Sequence, residues 1–161
     1  MRLINTASHD LTEFHGAKIP EYGILSHTWK PDGEVTLQQF VEATADARSP
    51  IRLWQGYGKI LEACKLARQH QLEWIWIDTA CIDKTSSADL SEAINSMFRW
   101  YRDSKVCYAY LADLEPGWAE PDPALSRCRW FTRGWCLQEL LAPSRLQLLA
   151  NDWSLIGKRR H

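Results

Sequence analysis

Four short apolar runs alternate with helix-patterned stretches, and this alternation limits the folds open to the chain. Tyr22-Gly23-Ile24-Leu25-Ser26-His27-Thr28-Trp29 begins apolar and ends polar, between Pro20 and the turn Lys30-Pro31-Asp32-Gly33. That pattern predicts a buried strand feeding a loop. Trp74-Ile75-Trp76-Ile77-Asp78 is an apolar run ending in an acid, which suits a central strand buried on both faces. Val106 to Leu111 and Arg145 to Leu149 predict two more strands. Between them the spacing turns helical. Ile60, Ala63, Cys64 and Ala67 share one face of a helix over about 56–71. Leu90, Ala93, Ile94, Met97, Phe98 and Tyr101 form the stripe of a second over about 88–102, with Asp89 and Glu92 offered as a capping box. Arg133 to Leu141 reads as a third helix, stopped near Pro143. Residues 30–55 are irregular, with a short strand or helix over Val35–Val41. Residues 78–87 and 113–129 read as loops, the second holding three prolines.

The order β, irregular, α, β, α, β, α, β implies an α/β fold with a small, mainly parallel central sheet and helices on both faces, a three-layer sandwich. The length of 161 residues fits a single domain over 1–161. In such sheets ligands bind outside the carboxyl ends of the strands. The polar groups expected there are Ser26, His27, Asp78 and Asp83, with Glu139 on the last helix.

Composition closes off several classes. With 19 basic and 20 acidic residues the net charge is −1, which gives no general attraction to nucleic acid or to an anionic membrane. No apolar run nears the roughly 20 residues that span a bilayer, and the first residues lack a signal peptide's apolar stretch. The expected location is therefore cytoplasmic or nuclear, and cytoplasmic is taken as the working assignment. Five cysteines, an odd number with no C-x-x-C spacing, point to buried free thiols. The five histidines are scattered, so no metal site is expected. Nine tryptophans are unusual; most suit a core, and their rings also suit stacking on a flat ligand.

Three stretches carry a resemblance: Tyr22 to Trp29, Trp76-Ile77-Asp78-Thr79-Ala80-Cys81-Ile82-Asp83-Lys84, and Arg133-Gly134-Trp135-Cys136-Leu137-Gln138-Glu139-Leu140. Together, and with Ser86 to Tyr110, they resemble the fungal heterokaryon-incompatibility (HET) domain over nearly the whole chain. The departures are small: Gly23 where the family often has Ala, Ala80 where it often has Cys, Cys136 where it often has Thr. The resemblance implies a fungal source and a role in non-self recognition that triggers programmed cell death. Such domains usually stand at the front of longer proteins, so the chain is either a short member or a fragment.

By element order and a short motif the chain also resembles Toll/interleukin-receptor (TIR) domains, which implies a flavodoxin-like arrangement. Their third helix carries Trp-x-x-x-Glu, matched here by Trp135 and Glu139. In TIR domains that cleave NAD this Glu is catalytic, so the resemblance implies that Glu139 hydrolyses the nicotinamide–ribose bond. Nicotinamide leaves as a neutral molecule and needs no general acid, so one carboxylate can stabilise the oxocarbenium-like transition state. Trp29 and Trp135 would then line or stack, Ser26 and His27 would bind phosphate or ribose, and Asp78 and Asp83 would hold the ribose or its loop.

Each residue also has a plainer role. Glu139 can cap or decorate a helix, Trp135 can be core, and His27 can bond a neighbouring loop. Asp78 and Asp83 can brace residues 78–87, and Arg99 and Arg133 can be surface cations instead of phosphate forks. The expected partners are NAD or a related nucleotide as substrate, a second copy through self-association, and a carboxyl-terminal or separate recognition partner. No resident cofactor, membrane or nucleic acid is expected. The alternative to an NAD glycohydrolase is a non-enzymatic self-assembling signalling or docking module. A Mg²⁺-dependent phosphotransferase lacks its phosphate loop, and a Cys hydrolase lacks a paired His motif.

Overall fold

A computed structural model describes residues 1–30, 32–117 and 123–160. Pro31 of the predicted turn, residues 118–122 of the predicted 113–129 loop and His161 lie outside them. The described residues form an α/β fold with seven strands, paired both parallel and antiparallel. The strands are β1 (Arg2–Asn5), β2 (Leu11–Glu13), β3 (Tyr22–His27), β4 (Trp74–Ile77), β5 (Val106–Tyr110), β6 (Arg145–Leu149) and β7 (Leu155–Arg160). The helices are α1 (Leu37–Ala45), α2 (Gln55–Gln69), α3 (Asp78–Cys81), α4 (Ser87–Asp103), α5 (Pro123–Arg127) and α6 (Cys136–Leu141).

The chain divides into two compact units, Met1–Gly23 with Trp29–Met97, and Ile24–Thr28 with Phe98–His161. In the first, the strands run β2-β1-β4, and β1 is antiparallel to both neighbours. Leu3, Ile4, Ile75, Trp76 and Ile77 are buried in these strands, and Tyr57, Ile60, Ala63, Cys64 and Ala67 are the buried stripe of α2. Helix α1 settles the ambiguity over Val35–Val41. Thr36 Oγ1 accepts from the Gln39 amide, and the Gln39 side chain accepts from the Thr36 amide, a reciprocal cap that fixes a helix start. The expected capping box at α4 is corrected. Ser86 Oγ accepts from the Asp89 amide, while the Asp89 carboxylate pairs with Arg2 and accepts from the Asp83 amide. The predicted loop after Ile77 begins with one helical turn, α3.

In the second unit the order is β3-β5-β6-β7. Strands β5 and β6 are parallel, from Cys107↔Leu146 to Tyr110↔Leu149, and β7 returns antiparallel on β6. Ile24, Leu25, Val106, Cys107, Tyr108, Trp130, Leu146 and Leu149 are buried. The expected mainly parallel sheet is thus mixed. Every antiparallel ladder described comes from β1, β2 or β7, which the apolar runs did not predict. The last helix is shorter than predicted: it starts at Cys136, with Trp135 as its N-cap. Arg133 closes the 3-10 turn Arg129–Thr132 instead.

Candidate active site

Strand β3 ends in Ser26 and His27, both buried. A buried hydroxyl requires partners, and Ser26 has two. Its Oγ donates to Glu139 Oε2 at 2.6 Å and accepts from Trp130 Nε1 at 2.6 Å. Glu139 lies on the inner face of α6 with a side chain only 3% exposed. Burying a carboxylate is costly unless a cation and hydrogen bonds compensate. Arg133 supplies the cation as a two-pronged fork, Nη1 to Oε2 at 2.8 Å and Nη2 to Oε1 at 2.9 Å. Tyr101 Oη donates to Oε1 at 3.4 Å, the longest of the four bonds. A carboxylate offers about four lone-pair sites, and here four donors occupy them. All of these residues belong to the second unit.

The thiols near this carboxylate are held protonated. Burial first, then the Glu139 charge, pushes the Cys107 thiol well above its ordinary value. The same two causes raise Cys136, which the Arg133 charge partly offsets. All five cysteines are buried and outside any disulfide, so none resembles an activated nucleophile.

A second group lies in the first unit. Trp29 Nε1 donates to Asp78 Oδ2 at 2.8 Å, and the Lys84 ammonium stands 3.5 Å from the Trp29 ring centroid, well within cation–π range. Burial lowers the Lys84 pKa, against the pull of Asp78 and Glu34. Asp83 Oδ1 accepts from the Thr85 amide and hydroxyl at 3.0 and 2.6 Å and from Gln38 Nε2 at 2.9 Å. These bonds, those of Thr85 first, hold its carboxyl below the usual range. These contacts tie Asp83 to its own loop through Thr85 and to α1 through Gln38. A cavity of about 430 Å³ in this unit is lined, among the described residues, by Asp32, Gly33, Trp54 and Gln55. None of these was a predicted site residue.

The predicted residues thus fall into two sets. Ser26 bonds Glu139, and Trp29 bonds Asp78. His27 is buried at the end of β3. Trp135, expected to line or stack on the ligand, is the N-cap of α6 and 40% exposed. Sequence reasoning passed over Tyr101 and Trp130 and left Arg133 between surface cation and phosphate fork. Among the described residues no three His, Cys, Asp or Glu side chains gather to hold a metal ion, and no helix is long and apolar enough to cross a membrane.

Residues 22–122 match the family described as Heterokaryon incompatibility protein (HET). The chain is 45% identical over 148 residues to the vegetative incompatibility protein HET-E-1 of Podospora anserina, an alignment covering 88% of this chain and 10% of that protein. The chain spans about a tenth of that relative's length. No solved structure matches it. A family match over more than half of the chain and this identity over most of it lead to one conclusion: the chain belongs to the heterokaryon incompatibility (HET) family.

Proposed function

We propose that the chain serves in heterokaryon incompatibility as a cell-death effector, and that it does so by hydrolysing NAD at the nicotinamide–ribose bond with Glu139. One observation carries this reading. Glu139 is a carboxylate nine-tenths or more buried, beside the polar end of β3, and held by Arg133, Ser26 and Tyr101. A desolvated carboxylate stabilises a developing oxocarbenium ion more strongly than one in water does. The long Tyr101 bond is the cheapest to exchange for a ribose hydroxyl. Trp135, half-exposed at the start of α6, supplies a ring for the ligand, and the TIR-like Trp-x-x-x-Glu motif agrees with these roles. In this reading NAD is the substrate and no resident cofactor takes part. The domain acts in the cytoplasm.

The test is nicotinamide release from NAD by the purified chain at high protein concentration, beside Glu139→Gln. The expected outcome is release by the wild type and a loss of about 100-fold or more in the variant, the usual scale for removing transition-state electrostatics. Full activity in Glu139→Gln, or no release by the folded wild type, overturns the proposal.

A non-enzymatic assembly module has its own supporting observation. Leu137 and Leu141, one turn apart on α6, are 63% and 53% exposed. Apolar residues so placed favour association with a second copy or a recognition partner. Under this alternative, killing survives Glu139→Gln and fails in Leu137→Ser with Leu141→Ser.

A further inference from the structure

Arg133 has more hydrogen-bonding capacity than Glu139 uses. A guanidinium carries five N–H donors. Two of them grip the Glu139 carboxylate, which leaves Nε–H and one N–H on each Nη. None of these three has an acceptor among the described residues. The Arg133 side chain is 22% exposed against 3% for its partner, so the pair is closed on the Glu139 side and reachable on the other. Trp135, 40% exposed, follows two residues later.

We infer that the outer edge of Arg133 binds the phosphate of a nucleotide, and that filling it loosens the grip on Glu139. The inference rests on the reading of Glu139 as the ligand-facing carboxylate, and it names the part of the ligand that would free it. A planar fork suits a phosphate as well as a carboxylate. One guanidinium bridging two anions holds each less firmly than it holds one alone, because the anions repel across it. A phosphate on the outer edge therefore weakens the bonds to Glu139, and the carboxylate becomes able to exchange donors with a sugar. Without a phosphate its four lone-pair sites stay filled and it is idle. Trp135 adds a ring face, which favours a nucleotide over free phosphate.

The test is calorimetric titration of the full chain with ADP-ribose, which keeps the pyrophosphate and lacks the scissile bond. Inorganic pyrophosphate and adenosine serve as the other ligands. Wild type should bind ADP-ribose more tightly than pyrophosphate and should not bind adenosine. Glu139→Gln removes the competing anion and should tighten ADP-ribose binding about tenfold, or 1.4 kcal/mol. Arg133→Lys keeps a cation for Glu139, and so the fold, but loses the fork; it should weaken binding about tenfold. No binding by wild type, pyrophosphate binding as tightly as ADP-ribose, unchanged or weaker binding in Glu139→Gln, or unchanged binding in Arg133→Lys overturns the inference. Nicotinamide release is read separately. A binding pattern as expected, with release indifferent to Glu139, leaves the phosphate site standing and removes the hydrolase reading.

Discussion

Ser26 joins three elements through one oxygen: it is the penultimate residue of β3, donates to α6 and accepts from the 3-10 turn at Trp130. Ser26→Ala leaves the buried Trp130 N–H without its acceptor and takes one donor from Glu139. The expected cost is about 2–4 kcal/mol, because unsatisfied buried groups keep their full desolvation penalty. A urea titration reads it as a lower midpoint at unchanged slope. Cys64 and Cys81 give a second prediction at this scale. Burial pushes both thiols up from 9.0 to about 12. The fold therefore favours the protonated form. Stability is complete below pH 9 and falls as pH rises from 9 toward 12, where the unfolded chain ionises first. Melting temperature against pH should decline over that window, and native thiols should react with a disulfide reagent at pH 8 far more slowly than unfolded ones. Of this cluster, Ser26 stood out as a polar residue at the end of an apolar run, and Glu139 through the Trp-x-x-x-Glu motif of the TIR resemblance. Arg133 was not legible. It lies six residues before Glu139, off the helix, and no periodic spacing announces a pair made across a turn.

At the scale of elements, Gly56 shows how a helix start is docked. Its amide donates to the Gly33 carbonyl at 2.9 Å, and a Cβ on Gly56 would fall on that carbonyl oxygen. Gly→Ala inside a helix ordinarily stabilises by about 1 kcal/mol. Here Gly56→Ala should destabilise by about 2 kcal/mol or more, because backbone must shift; a melting temperature above wild type would refute this. Strand β6 and helix α4 were legible nearly to the residue, since each has a full apolar pattern between clear breaks. Strands β1 and β2 were not, being four and three residues long, too short for any period to register. Strand β7, Leu-Ile-Gly-Lys-Arg-Arg, ends in three cations. Such residues protect an edge strand from pairing with another chain, and the same chemistry hides it from a search for apolar runs. For helix α1 the apolar pattern is ambiguous, and the signal that does resolve it is the capping signature Thr36-x-x-Gln39.

At the scale of the whole molecule the two units are not consecutive in sequence. Residues 24–28 belong with residues 98–161, and the first unit supplies everything between. Ser26 meets Trp130 and Glu139 at separations of 104 and 113 residues. Such distant pairing predicts slow refolding from urea, on a scale of milliseconds to seconds, checked by stopped-flow fluorescence of the tryptophans. A single microsecond phase would contradict it. During synthesis the same interleaving imposes a wait. The ribosome releases Ile24 and Leu25 long before their partners exist, and at roughly 5–20 residues per second the delay lasts several seconds. Through that interval the nascent chain holds an unpaired apolar strand, so its yield in the cell depends on whatever shields that strand until synthesis catches up.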